Sequence, residues 1–234
     1  DMTGILYGVG LGPGDPDLIT LKAARLIENA TTIAYPTLAG GDSFARAIAA
    51  GLIKPDAREI RMDVPMTTAR EPAQAAYDKG ALDIADILKA GEDVVCLCEG
   101  DPFFYGSFMY LYARLTTKFT IKVVPGVTSV TACAAEAGQP LVARNERLTI
   151  LPGPMEKAIL RERIAGAEAV AIMKVGRHLP KIKAVIDDLG LMDHATYVER
   201  ATLPKQVVTT LRNAPEKAPY FSMILLTKGI DPWL

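Results

Sequence analysis

Short apolar runs alternate with longer amphipathic stretches along most of the chain. Residues 5–9 read as a strand that ends in a Gly/Pro-rich turn, and residues 18–28 as a helix that Asp17 can cap. A strand over 32–35 stopped by Pro36, a helix over 43–53 and a weak strand over 59–62 follow. The longest helical pattern is 71–90, with Ala81, Ile84, Ala85 and Leu88 on one face. Residues 93–98 form a continuous apolar run, the mark of a buried strand. Helix 106–115, strand 120–124, helix 128–137, strand 148–151, helix 155–164, strand 169–175 and helix 179–189 continue the alternation. The chain then changes character: strand-like runs at 196–199, 206–210 and 220–227 succeed each other with no good helix between them.

Strands separated by helices imply βαβ units and a largely parallel sheet, whereas consecutive strands imply a sheet of mixed direction. The fold class is therefore α/β, with a mainly parallel N-terminal domain over 1–125 and a mixed C-terminal domain over 126–234. The break falls where a strand stops at Pro125-Gly126 and a new helix begins.

Composition narrows the function. The chain has 234 residues, 50% hydrophobic and 23% charged, and 26 basic against 27 acidic side chains give a net charge of −1. That balance counts against a dedicated nucleic-acid binder, and the apolar content excludes intrinsic disorder. No stretch approaches the ~18 apolar residues of a membrane span. Gly4-Ile5-Leu6-Tyr7 opens without a basic segment leading into a long apolar one, so a soluble cytoplasmic protein with no membrane partner is expected. Cys96, Cys98 and Cys133 are no disulfide framework. The first two face one side of their strand as small buried thiols, and no metal site is expected, because His178 and His194 are remote in sequence.

Ligands of open α/β sheets bind beyond the carboxyl ends of the strands, and three such ends carry unusual residues. The stretch from Gly8 to Pro16 holds four alternate glycines but fits neither the dinucleotide fingerprint nor a P-loop. It is either a sharp turn that needs positive φ or a backbone wall for a large ligand. Glu99 and Asp101 stand at the mouth of the buried strand, where Asp101 can cap the next helix or the two acids can edge a pocket. Thr128 and Ser129 can cap a helix or, with its terminal amides, hold a ligand carboxylate.

In combination these stretches resemble the tetrapyrrole (corrin/porphyrin) methyltransferases. The matching segments are 8–23 (GVGLGPGDPDLITLKA), 100–106 (GDPFFYG), 125–129 (PGVTS) and 198–206 (VERATLPKQ), in order and with the family's spacing. Gly40 to Ser43, Pro65-Met66, residues 173–177 and residues 219–222 bring it nearest to the branch that methylates C20 of precorrin-2 in cobalamin biosynthesis. The resemblance implies a homodimer of two-domain subunits that binds S-adenosyl-L-methionine in a cleft between the domains, releases S-adenosyl-L-homocysteine, and takes a tetrapyrrole rather than nucleic acid.

The resemblance also implies site residues. Glu99, Gly100, Asp101, Phe104, Thr128, Ser129, Met173, Ala201, Thr202, Ser222 and Met223 would line the cofactor pocket. Glu99 and Ala201 stand where other branches often carry Gly. Gly12, Pro13, Asp15, Arg144, Arg177 and Lys205, joined by Arg147 and His178, would meet the substrate and its carboxylates. No general base is singled out; the proton released on methylation would go to Asp15, Glu99 or water. Asp101→Ala is expected to weaken cofactor binding and leave the fold intact. The alternatives are a methyltransferase for the cobalt-loaded ring and, on the same fold, a ribosomal-RNA ribose methyltransferase.

Overall fold

The computed structural model describes residues 2–38, 41–65 and 70–229. Gly40 and Met66, which the sequence reading singled out, lie outside them. The chain divides into two compact units, Asp1–Thr128 and Ser129–Leu234.

The first unit is built on five parallel strands: β1 (Leu6–Gly10), β2 (Thr32–Leu38), β3 (Arg58–Val64), β4 (Val94–Cys98) and β5 (Ile121–Val124). Their order across the sheet is β3-β2-β4-β1-β5. Alternation along each strand feeds two cores. Val9, Ile33, Tyr35, Val95 and Leu97 pack against α1 (Leu21–Asn29) and α2 (Phe44–Ala49). Leu6, Ala34, Val94, Cys96 and Cys98 pack against α3 (Arg70–Lys89) and α4 (Phe108–Leu115) on the opposite face. Helix α3 buries Tyr77, Gly80, Ala81, Ile84, Ala85 and Leu88, the three-and-four spacing of one helical stripe. β4, covered on both faces, is buried along its whole length.

Local chemistry moves some boundaries. β2 does not stop at Pro36 but continues to Leu38. Its pairing with β4 has ended at Ala34, so Pro36 is flanked by β3 alone and its missing N–H leaves no gap in a two-sided ladder. Asp17 caps no helix. Asp15 accepts from the Asp17 amide to cap a short 3-10 turn over Pro16–Leu18, and Thr20 caps α1 through the Ala23 amide. The helix expected over 43–53 ends at Ala49 and passes into a 3-10 turn, Ala50–Leu52, around Gly51.

The second unit carries β6 (Leu148–Pro152), β7 (Ala169–Met173), β8 (Ala195–Glu199), β9 (Val207–Thr210) and β10 (Ser222–Thr227), in the order β6-β7-β10-β8-β9. β6 and β7 are parallel; β10 runs antiparallel to both β7 and β8, and β9 antiparallel to β8. This is the mixed sheet expected from the helix-poor end of the chain. Helices α6 (Lys157–Ala165) and α7 (Leu179–Asp188) cover one face, with Leu160, Ile164, Ile182, Val185 and Ile186 against Val170, Ile172, Tyr197 and Ile224. Helix α5 (Ser129–Ala137) meets β8, β9 and β10. No helix among the described residues is long and apolar enough to cross a membrane.

Candidate functional site

The chain leaves β1 through α1 on one face of the first sheet and β4 through α4 on the other. Neighbouring strands whose connections part in this way open a crevice at their carboxyl ends. The loops after β1, β4 and β5 meet there. Gly12 and Gly100 exchange both backbone hydrogen bonds, at 3.2 and 2.8 Å, and the Leu11 amide donates to the Cys98 carbonyl at 2.9 Å. Gly100 has φ +58°, a left-handed conformation that side chains disfavour. Gly126 comes closer still. A Cβ there would stand 2.0 Å from the Gly100 carbonyl oxygen and 2.9 Å from the Gly10 Cα. Gly10, Gly100 and Gly126 thus make a bare backbone wall.

Asp101 fastens this wall. Its Oδ1 accepts from the Phe103 amide at 2.9 Å, and its Oδ2 from the Gly126 amide at 3.0 Å. The helix-cap reading is therefore corrected: α4 begins only at Phe108, and Asp101 ties the loop after β4 to the loop after β5. It follows that Asp101→Ala disturbs the local fold as well. Glu99, two residues earlier, is different. Its side chain is exposed and no hydrogen bond or ion pair engages it, yet desolvation by the surrounding protein raises its carboxyl from the ordinary 4.5 to about 7. Phe104 is half-buried with its ring edge-on to Tyr105, whose φ of +52° places it in the left-handed region. Gly12 is buried, Pro13 and Asp15 are half-buried beside the same crevice, and Thr128 closes the loop after β5.

In the second unit, β6, β7 and β8 end at the edge where β10 begins. Met173, Ala201, Thr202, Ser222 and Met223 share that edge. Ser222 Oγ donates to the Pro219 carbonyl at 2.6 Å and accepts from the Gly176 amide at 3.3 Å. The Thr202 amide donates to Gln206 Oε1 at 2.6 Å. Lys174, Arg200 and Thr202 all have left-handed backbones, with φ of +55°, +49° and +69°. Three such residues on one edge hold strain, and strain of this kind gathers at ligand sites.

Sequence reasoning missed the anchor of this edge. Glu199, 6% exposed, accepts from the Tyr197 hydroxyl at 2.9 Å and from Arg200 Nη1 at 2.6 Å. Burial, and next the bond to Glu199, push the Tyr197 hydroxyl well above its usual range. Glu199 lay inside a quoted motif, but nothing in that motif marked it as buried.

The proposed cationic rim divides. Arg177 and His178 lie in the 3-10 turn after β7, with Lys181 one helical turn on, and Lys205 sits in the loop after β8 at the same edge. Lys181 Nζ donates to the Met155 carbonyl at 2.7 Å and lies 3.5 Å from His178 Nδ1. Burial, then the charges of Lys181 and Arg177, hold the His178 imidazole below its ordinary value. Arg144 and Arg147 are not part of this group. They precede β6 and stand at the opposite edge, where Arg147 pairs with Glu168 at 3.2 Å. Ser129 is the first residue of α5.

Cys96, Cys98 and Cys133 are buried free thiols; burial raises Cys133 to about 12 and Cys98 well above its usual range. Among the described residues, no group of three or more His, Cys, Asp or Glu side chains is placed to hold a metal ion.

A parallel sheet with a glycine-walled crevice, followed by a mixed sheet with a strained edge, is the architecture of a tetrapyrrole methylase. The family Tetrapyrrole (Corrin/Porphyrin) Methylases matches residues 5–215, and the chain belongs to it. It is 43% identical over 232 residues to a precorrin-2 C(20)-methyltransferase of Sinorhizobium sp, covering 95% of each protein. It is 30% identical to a cobalt-precorrin-2 C(20)-methyltransferase of Salmonella typhimurium, over 97% of this chain and 98% of that protein. The crystal structure of a uroporphyrin-III C-methyltransferase from Thermus thermophilus, complexed with S-adenosylhomocysteine, superimposes with a TM-score of 0.66 at 27% identity. That match covers 95% of this chain and 97% of the other.

Proposed function

We propose that the protein transfers a methyl group from S-adenosyl-L-methionine to C20 of precorrin-2, giving precorrin-3A and S-adenosyl-L-homocysteine in cobalamin biosynthesis. The observation that carries this reading is the 43% identity, spread over 95% of both chains, to a protein of that activity. The metal-free ring is favoured over the cobalt-loaded one because the relative named for the latter is only 30% identical. Assembly as a homodimer in the cytoplasm belongs to the same reading.

The residues fit the donor. Gly10 and Gly126 pack main chain against main chain, a Cβ at either striking backbone atoms at 2.7 and 2.0 Å, while a Cβ at Gly100 has no neighbour nearer than 3.9 Å; this bare backbone suits a large ligand lying on the loops that carry it. In the first unit we assign the donor to the main chain of Glu99 and Gly100, to Asp101 through the loop it holds, and to Phe104 and Thr128. In the second unit we assign Ser129, Met173, Ala201, Thr202, Ser222 and Met223. Gly12, Pro13, Asp15, Arg177 and Lys205 are assigned to the substrate, with His178 and Lys181 beside Arg177. Arg144 is the weakest member of that set, since it stands at the other edge of its sheet.

When bound, the donor supplies a methyl group on a positively charged sulfur. Its transfer cancels that charge, so a carboxylate clamped on the sulfur would favour the reactant over the transition state. The Asp101 oxygens are already taken by two backbone amides. The chain's main contribution is then alignment, which supplies up to ~7–11 kcal/mol in favourable cases. The cations at Arg177, Lys181 and Lys205 would pair with ring carboxylates.

The test is incubation of purified protein with precorrin-2 and donor labelled with 13C in the methyl group. A single enriched methyl resonance on C20 is expected, with one S-adenosylhomocysteine per ring. Label on another carbon overturns the position. Faster reaction of the cobalt-loaded ring overturns the choice of substrate.

A further inference from the structure

Two large aromatic side chains stand in water where the last strand of the second unit begins. Tyr220 is 59% exposed and Phe221 46%. Apolar residues scattered singly over a surface are ordinary, but these two form one feature. The Ser222 amide donates back to the Tyr220 carbonyl at 2.9 Å, a tight turn that leads into β10. The two rings meet edge to face, with centroids 5.4 Å apart and planes at 79°.

Cations frame the pair. β10 lies between β7 and β8, so the residues entering it stand between the loops that leave those two strands. On the β7 side a Cβ at Gly176 would come 3.6 Å from the Tyr220 Cα, and the exposed Arg177 follows. On the β8 side the Arg200 amide donates to the Phe221 carbonyl at 3.0 Å. Segments 174–178 and 200–206 carry Lys174, Arg177, Arg200 and Lys205 and no acid. The Arg200 side chain, 43% exposed, gives Nη1 to the buried Glu199. That bond fixes the guanidinium, whose further N–H groups can serve a second carboxylate. The exposed acids of the neighbouring loops are Glu156, after β6, and Glu216, ahead of the aromatic pair; each is followed directly by a lysine, so the framing charge is not cancelled.

We propose that Tyr220 and Phe221 are a platform for the tetrapyrrole ring, and that Arg177 and Arg200 take carboxylate arms at its two sides. This deepens the methyltransferase reading above and rests on it. A flat ring with acidic arms is an apolar body rimmed by anions. An aromatic pair rimmed by arginines is its complement. The order along the chain agrees. Ser222 and Met223 follow the platform, and Ala201 and Thr202 follow Arg200. Those four residues are assigned to the donor, and the ring must lie beside the donor to receive a methyl in line. Glu199 then has a task at the site: it holds the Arg200 fork.

The experiment reads binding rather than turnover. Precorrin-2 is dialysed to equilibrium, under nitrogen, against protein saturated with S-adenosylhomocysteine, which has no methyl to give. The double variant Tyr220→Ala, Phe221→Ala should bind precorrin-2 roughly 10- to 100-fold more weakly, the loss of two stacking faces, while its affinity for S-adenosylhomocysteine stays within about threefold. Tyr220→Phe keeps the ring face and should bind as wild type does. Arg177→Ala and Arg200→Gln should each cost about tenfold in precorrin-2 affinity and flatten its dependence on salt. Gln is chosen at 200 so that an amide N–H still serves Glu199. Unchanged precorrin-2 binding in the double variant or in either arginine variant overturns the proposal. So does an equal loss of S-adenosylhomocysteine affinity, which gives the platform to the donor's adenine. A smaller sedimenting species in the double variant also overturns it, since the pair is then an interface between copies of the chain. Wild type that binds no precorrin-2 overturns the underlying reading instead.

Discussion

Replacing Asp101 by Ala is expected to lower stability by roughly 2–4 kcal/mol, because two backbone amides lose a charged acceptor, each such bond being worth about 1.5–3 kcal/mol before discount for partial exposure. For a unit of this size that is a fall in Tm of about 5–15 °C by calorimetry. Affinity for S-adenosylhomocysteine should fall at least tenfold, since the loop that Asp101 holds is the one assigned to the donor. The Asn variant should lie between. It keeps one acceptor oxygen, but its amide nitrogen opposes an amide N–H that also donates. A variant with wild-type Tm would show that the Phe103 and Gly126 amides find other partners; wild-type affinity would remove the donor from this loop.

The second large effect is expected at Gly126. An Ala methyl there meets the Gly100 carbonyl oxygen at 2.0 Å and the Gly10 backbone within 3 Å, and neither neighbour is a side chain that can swing away. The loop after β5 must move, which breaks the Asp101–Gly126 bond as well. Overpacking of this kind costs about 1–3 kcal/mol, occasionally more, and here it also displaces the loops assigned to the donor, so binding of S-adenosylhomocysteine should be abolished or nearly so. Because both substitutions cut one tie, their effects on stability should add to less than the sum. Gly51→Ala is the control: its Cβ meets nothing within 4 Å, and Tm and binding should be unchanged.

Legibility in the sequence followed from whether a feature depends on local pattern. The alternation of Val94 to Cys98 between two cores is a period-two signal, and it placed Cys96 and Cys98 on one side of β4 before any coordinates. The stripe of α3 was equally plain. The mixed sheet was visible because no helix-length pattern separates β8, β9 and β10. What escaped depends on chain segments distant in sequence. Asp101 looked like a helix cap because its acceptor role toward Gly126 crosses from one strand end to another. Pro36 looked like a stop because the pattern cannot say on which side a strand lacks a neighbour. The left-handed turns at Lys174, Arg200 and Thr202 carry no signal, since none of these residue types favours that conformation. Family likeness supplied Met173, Thr202 and Ser222 as candidates, and the fold supplied a reason for their common edge. It did not do so for Arg144.

The strand order bears on how the protein is made. β1 leaves the ribosome before β2 to β5, yet its two neighbours are β4 and β5: Leu6 pairs with Val94 and with Ile121. During synthesis the apolar segment from Leu6 to Gly10 must wait, unpaired, through three helical crossovers and an edge pair of strands. Only when β4 emerges can β1 join the sheet and bridge it to β5. Nascent chains stopped before residue 94 should therefore be the ones that trigger factors and proteases capture, and the closing of the glycine wall should be among the last events of first-unit folding.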